Sequence, residues 1–574
     1  MKILKYAPRE LSQNFSGKIL LSLLIVFSLL VFITCNSDED KNNLIDESSI
    51  EQIVEALGGE EIFNQTKTLK ATIDGALLEY EQELPTEANP VTTNTHRLTL
   101  SSEFTARKAR MEYEYRKFQH PFKYDTYGAK LIVNDKKGSL SGEYNWSAYY
   151  FGTTQPIALH SSRIEATLKN LTMANPLALL HQVLSNGSIN TFTKNNEFII
   201  PTRVSDLSIT LAIDPNSHLP LSASIMEADH IQGDVLFEVV YEDWVATSGL
   251  KYPSRIVYNF NGELLKTEDL SNIELGVTFD AGHFTPEPAD QIAYSEENAD
   301  NGIYYSQWYH RWSGFGILLD QPLDNGAMAL GNFDLSSVGI TSQEVGPNLK
   351  VIGRPDTRTW SVVAKTNEGL VIFDAPINSD CTRSGLNTIR SEYPGEPVLA
   401  GVISHLHHDH CGGMRELIYE TETVYVGPDA VAFTQKSIDS KHTLRPDNLE
   451  LDPKPITVKA VTGVTKLGTG PSAVEIHLLD PEESDAVPHA DEMVFMYVPE
   501  YETIVVSDQI WLGGFMDIWD RLTHKTLTPA TRAELRNRSI YLRDYVQQHG
   551  LTVSKIVATH GGLGTYETLV RVAQ

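Results

Sequence analysis

The feature that most restricts this chain is a ten-residue segment. Directly after the apolar run from Val398 to Ile403 stand Ser404, His405, Leu406, His407, His408, Asp409, His410, Cys411, Gly412 and Gly413. The chain has 18 histidines in 574 residues, so four within six positions is a concentration that a solvated surface tract does not need. Imidazole nitrogen is a borderline ligand suited to zinc or iron, and aspartate supplies a hard oxygen, so the segment has the donors for two adjacent cations. In a loop leaving a strand, His405 and His407 point to one ion, Asp409 and His410 to another, and His408 faces away.

The surrounding texture is compatible with such a loop. From about Gly331 onward, short apolar strands (Leu370 to Phe373, Val398 to Ile403, Met493 to Val498, Thr503 to Val506, Lys555 to Ala558) alternate with amphipathic helices. The clearest helix spans Thr531 to Gln548, with Leu535, Leu542, Tyr545 and Val546 on one face. The pattern is that of an α/β sandwich.

Residues 405 to 410 match the His-x-His-x-Asp-His motif, and on it this half resembles the metallo-β-lactamase superfamily. The resemblance covers roughly residues 331 to 574 and implies an αββα sandwich. It also implies a third histidine for the first ion and, 19 residues later, a bridging aspartate; His489 and Asp508 have that spacing. His560, after the strand ending at Ala558, supplies the implied last ligand, and Asp374 matches the family's early aspartate, a partner of ligands rather than a ligand. The implied set is His405, His407 and His489 on one ion, Asp409, His410 and His560 on the other, and Asp508 between them. Two zinc ions are expected, with iron or manganese as alternatives.

The chemistry implied is hydrolysis by a hydroxide held between two ions, with Asp409 as the residue that orients it. Cysteine-ligand zinc β-lactamases carry cysteine where this chain has Asp508. The site therefore looks more like those of lactonases, thioesterases and phosphodiesterases, and a small ester, lactone, thioester or phosphodiester is the expected substrate. Iron-dependent oxidative members of the fold, which use a subset of these ligands, are the alternative chemistry. Trp511, Phe515 and Trp519 either line the pocket or pack beneath the next helix, and His477 reads as a strand residue.

The first block, residues 50 to 290, reads as mostly antiparallel β. Leu207, Ile209, Leu211 and Ile213 alternate with polar neighbours before Asp214-Pro215-Asn216, and Arg255 to Phe260 runs into Asn261-Gly262, a strong hairpin signal. Helices are expected near Ile50 to Leu57 and from Pro176. The order of elements resembles the half-open barrel of periplasmic lipoprotein carriers of the LolA type; a generic β domain that presents or shields the second block is the other reading. The fold class expected for the whole is α+β in two domains, joined by an acidic, alanine-rich linker over residues 291 to 330. The aromatic stretch Tyr304 to Trp312 is expected to pack the blocks together. A lipid- or apolar-ligand-binding protein with a secondary metal site is the competing function.

Residues 1 to 34 read as an address. Lys2, Lys5, Arg9 and Lys18 precede the apolar run Ile19 to Ile33, the pattern of a secretory signal. Cys35 follows almost at once and resembles the lipidated cysteine of bacterial lipoproteins; an uncleaved anchor and a plain signal are the other readings. Residues 35 to 49 form a tether with the acidic run Asp38-Glu39-Asp40. The protein is thus expected to be exported and membrane-anchored at the periplasm or cell surface. With 46 basic and 75 acidic side chains its formal charge is −29, and cleavage after residue 34 makes it −32. Such a surface repels phosphate backbones, which excludes nucleic acid as a general partner. Of three cysteines, Cys381 and Cys411 either pair or remain thiols.

Overall fold

The computed structural model describes residues 47–79, 91–117, 126–141, 156–185, 195–287, 290–307, 340–354, 359–479, 490, 492–512 and 529–574. The expected signal, the tether as far as residue 46, His489, Phe515 and Trp519 lie outside these residues, and residues 47 to 49, expected in the tether, are helical. From Asp46 to Gln574 the chain forms one compact unit. No helix among the described residues is long and apolar enough to cross a membrane.

The first block is a single twelve-stranded antiparallel sheet. Successive strands pair in two runs, from Thr68–Glu79 to Ile157–Ala158 and from Glu197–Pro201 to Glu263–Leu275, and Thr68–Glu79 pairs with Glu263–Leu275 to join them. The register follows the alternation expected: Ile209, Leu211 and Ile213 are buried while their neighbours are partly exposed. Asn261 and Gly262 both have positive φ (53° and 85°), as a two-residue turn whose twist matches its strands requires. Asp214 caps its own turn, its Oδ1 accepting from the N–H groups of Asn216 (2.8 Å) and Ser217 (2.7 Å).

The expected helices are present as Glu47–Leu57 and Pro176–Ser185. A further helix, Ser161–Met173, lies so deep that Ser161 through Lys169 are all buried. A helix buried all round needs every charge answered. Glu165 accepts from Arg107 and from the Tyr294 hydroxyl (2.6 Å), and Lys169 donates to Glu227 and to Ser306 (2.8 Å).

Part of the stretch expected to be a linker is structured. Residues Glu296–Tyr304 are helical, capped by Ser295, and pack so closely on Ser161–Met173 that a Cβ at Gly302 would lie 2.1 Å from the Ser162 carbonyl oxygen. An acidic, alanine-rich composition suits an N-terminal helical turn as well as it suits a linker, and here the neighbouring helix decides.

The second half is two sheets face to face. Residues 341–460 form seven strands, antiparallel for the first four and parallel from Leu370–Phe373 onward; residues 464–565 form six, with a parallel pair at Thr503–Val506 and Lys555–Ala558. Val362, Val371 and Val402 meet Val494, Met496, Val505 and Val557 between the sheets. On the outer faces, Val363 and Ile372 pack on Leu386, Leu417 and Phe433 of helices, and Phe495, Ile504 and Ile556 pack on Leu542, Tyr545 and Leu569. The architecture is mixed α+β, with four layers in this half.

The halves interlock at one hairpin. At its tip Ile231 joins the helix-side core of the second half, and its carbonyl accepts from Ser437 Oγ (2.7 Å). Asp234 accepts from the N–H groups of Thr443 (2.9 Å) and Leu444 (3.0 Å). Between them Gly233, at φ 79°, leaves no room for a side chain: its Cβ would lie 2.2 Å from the Lys441 carbonyl oxygen. Tyr305 stacks on His230 at 4.3 Å between ring centroids, and Arg445 lies over the Tyr304 ring. These two aromatics of the stretch therefore pack the halves together rather than wall a substrate site.

Candidate metal centre

The histidine-rich segment leaves the end of the strand Val398–Val402 and turns into one short helical turn, His408–Cys411. The adjoining loop holds it: the Ala375 N–H donates to the His410 carbonyl (2.8 Å), Ile377 N–H to the His408 carbonyl (3.0 Å), and Gly413 N–H to the Ala375 carbonyl (2.9 Å). This approach explains the paired glycines. A Cβ at Gly412 would lie 2.0 Å from the Ile377 carbonyl oxygen, and one at Gly413 would lie 2.1 Å from Thr382 Oγ1. Ile377 itself has φ 73°, a conformation that costs a β-branched residue energy and that the surrounding bonds must impose.

Six of the seven expected ligand residues come together, Asp409 and His410 on the short helical turn and the other four just beyond strand ends. Asp409, His410, Asp508 and His560 form one group, and His405, His407 and Asp508 a second, each with one nitrogen or oxygen per residue within 4.8 Å of the others. In the first group His560 Nε2 lies 2.8 Å from Asp409 Oδ2 and 3.2 Å from Asp508 Oδ1, and His410 Nε2 lies 3.5 Å from Asp508 Oδ2. In the second, His405 Nε2 and His407 Nδ1 lie 3.6 and 3.9 Å from Asp508 Oδ2. Asp508 thus belongs to both. His408 belongs to neither and is buried against the first block's hairpin.

The side-chain exposures separate the wall from the mouth. His410, Asp508 and His560 are 1%, 4% and 6% exposed, whereas Asp409 is 23% exposed. Asp409 is therefore the member of this group most open to solvent.

Asp374 stands behind the cluster, fully buried, at φ 64°. Its Oδ1 accepts the Ser404 N–H (2.8 Å), and its Oδ2 accepts the Ser404 hydroxyl (3.1 Å) and His410 Nδ1 (2.9 Å). A carboxylate only accepts, so Nδ1 carries the proton and the Nε2 lone pair faces Asp409 and Asp508. His405 Nδ1 is likewise placed beside Ser404 Oγ (3.0 Å), which turns its Nε2 inward.

The electrostatics suit cations. Burial favours a neutral His410 ring, yet Asp409, Asp508 and Asp374 outweigh it and hold its pKa well above the ordinary value. Asp409 also resists desolvation, and its carboxyl is held far below the usual range by His410 and His560. Burial, reinforced by His407 and His410, pushes His405 down to about 3, so this ring is neutral. The carboxylates draw a proton into a closed pocket of imidazoles, where a divalent ion would meet the same potential with more charge. Nitrogen and oxygen donors in two groups that share one carboxylate fit a pair of such ions.

Trp511, which sequence reasoning left undecided, is placed, and His477 is found on a strand as expected. Trp511 is 4% exposed and its indole N–H donates to Asp508 Oδ1, while the Arg538 guanidinium lies 5.1 Å from the Trp511 ring centroid. The three-residue step from Asp508 to Trp511 was visible in the sequence, but the direction of an indole N–H was not. His477 is a strand residue, stacked on Phe495 at 4.8 Å. Cys381 and Cys411 are both buried and are not joined as a disulfide.

No protein-family model and no curated protein matches this chain. Among solved structures, the DIM-1 metallo-beta-lactamase is similar at 14% identity over 41% of this chain and 97% of its own, with a TM-score of 0.30. A metallo-beta-lactamase from Pontibacter korlensis is similar at 16% identity over 41% and 97%, TM-score 0.30. The mono-zinc form of FIM-1 from Pseudomonas aeruginosa is similar at 12% identity over 41% and 94%, TM-score 0.29.

Proposed function

We propose that this protein is an exported metal-dependent hydrolase whose ions are held by His405, His407 and His489 on one side and Asp409, His410 and His560 on the other, with Asp508 shared. The observation that carries this reading is the convergence of two buried donor groups on one carboxylate. Two divalent ions bound there, zinc by preference, would supply Lewis acidity and a hydroxide nucleophile at neutral pH.

The chain's own groups do the rest. Asp374 keeps the His410 proton on Nδ1, Asp508 is buried beyond the reach of bulk water, and Asp409, the exposed member, orients the nucleophile at the mouth. The substrate class is an ester, lactone, thioester or phosphodiester. Aspartate rather than cysteine at position 508 supports that class.

The test measures metal content and hydrolysis on the same sample. Protein purified without chelator should carry about two equivalents of metal and cleave a member of that panel, and the double substitution Asp409→Ala with Asp508→Ala should lose both properties. Metal-free wild-type protein, or undiminished hydrolysis by the double variant, refutes the reading. Export belongs to the same proposal: Cys35→Ala should release the protein from membranes.

A cavity favours a second reading for the first block. About 110 Å³ lies between the sheet and the helix Ser161–Met173, lined by Leu69, Ile73, Leu98, Met111 and Leu131, with Arg163, Lys266 and Glu268 also on its wall. This reading is carriage of an apolar ligand, and lipid extracted from the purified full-length protein would support it. Solvent-clean protein would refute it.

A further inference from the structure

The hydrogen bond from Trp511 to Asp508 divides the two oxygens of the shared carboxylate between different tasks. His405 Nε2, His407 Nδ1 and His410 Nε2, which come from both donor groups, have their ion-pair approaches at Oδ2, at 3.6, 3.9 and 3.5 Å. Oδ1 receives the indole N–H and has His560 Nε2 beside it, at 3.2 Å. An indole nitrogen donates and never ligates, so it holds Oδ1 in place without competing for an ion.

The indole is itself held. Arg538, buried in the helix Pro529–Gln548, covers the ring and donates to the Asp508 carbonyl (3.3 Å). Its neighbour Ser539 donates to the Gln509 carbonyl (3.0 Å), and the His560 ring meets Trp511 edge-on at 6.1 Å. The segment 508–511 is therefore clipped to a helix outside the cluster.

Resting on the two-ion reading above, we propose that Trp511 is a positioning residue: its N–H reserves Asp508 Oδ1 and leaves Oδ2 as the oxygen shared by the two ions. Without the donor the carboxylate would be free to turn, and the residues of one donor group would lose a share of Asp508 that the other kept. Trp511 thus acts on the ratio of the two metal affinities rather than on either alone.

The test is a zinc titration of metal-free, full-length protein in competition with a chromophoric chelator, on wild type, Trp511→Phe and Leu512→Ala. Leu512 is buried beside the site but offers no side-chain donor, so its truncation reports lost packing. For Trp511→Phe the second equivalent should weaken about 10- to 100-fold, as loss of a bond to a ligand typically does, with the first changed by less than about threefold. Leu512→Ala should lower the melting temperature and leave the ratio unchanged. An unchanged ratio in Trp511→Phe, or the same change in both variants, overturns the inference while leaving the two-ion reading intact. Fewer than two equivalents on wild type overturns both. Should Trp511→Phe not fold, Arg538→Met, which uncovers the ring, must shift the ratio in the same direction, and a wild-type ratio there overturns the inference.

Discussion

Asp374→Asn should cost this protein metal and leave it folded. The substitution keeps the shape of the side chain and suits its backbone, because asparagine tolerates the positive φ of 64° found there. It changes the donor count. Asp374 accepts from three donors: the Ser404 N–H on Oδ1, and the Ser404 hydroxyl and His410 Nδ1 on Oδ2. An amide has one acceptor and one donor end. The Ser404 N–H cannot become an acceptor, so the amide oxygen must face it and the NH2 must face His410. The NH2 facing Nδ1 favours the ring form with its proton on Nε2, the nitrogen that faces Asp409 and Asp508, and in that form Nε2 has no lone pair to offer an ion. A charge-assisted hydrogen bond contributes about 1.5–3 kcal/mol, and at 1.4 kcal/mol per decade this weakens the ion beside His410 roughly 10- to 150-fold. Chelator competition reads the affinity, and melting of the metal-free variant shows whether the fold survives. A zinc affinity at the wild-type level would refute the argument that Asp374 sets the His410 tautomer.

Two further outcomes follow from buried charge. His230 is pushed down to about 4, chiefly by burial, with His442 and His408 adding to the shift and Asp229 and Asp380 opposing it. A ring whose folded pKa lies below its unfolded value of about 6.5 gives its full stability above that pH and loses it as acid protonates the unfolded chain, a loss of about 2 kcal/mol by pH 5. Urea midpoints of metal-free protein at pH 7 and pH 5 should therefore differ less in His230→Phe, which keeps the stack on Tyr305, than in wild type; an equal difference removes His230 as a source. Arg415 is 1% exposed and paired with Asp447, itself 3% exposed. Arg415→Met strands that carboxylate and should cost about 3–5 kcal/mol, whereas adding Asp447→Leu should restore much of it; thermal melts that rank the double variant below the single would contradict this.

Much of the centre was legible because its ligands are local. His405, His407, Asp409 and His410 lie within one loop, and Asp508 and His560 each follow a short β-branched strand whose end can be read from apolar runs. The hairpin Met493–Val498 and Thr503–Val506 was legible for the same reason. The buried helix Ser161–Met173 was not. Its Glu165 and Lys169 look like a solvated face until partners from residues 107, 227 and 294 are in place. The helix Glu296–Tyr304 was hidden likewise, since its composition is that of a linker and its contact is with a helix more than 120 residues earlier.

The sequence by itself determined the donor chemistry, the order of strands that present it and the net acidity, since each is a property of residue type and short-range period. Tertiary structure alone decided which oxygen of Asp508 faces which group, that Trp511 donates to it, and that the hairpin at His230 to Asp234 interlocks the first sheet with the helices behind the metal loop. Those outcomes depend on the directions of lone pairs and N–H bonds, whether the partners are three residues apart, as Asp508 and Trp511 are, or 206 apart, as Ile231 and Ser437 are. Spacing along a sequence carries no information about direction.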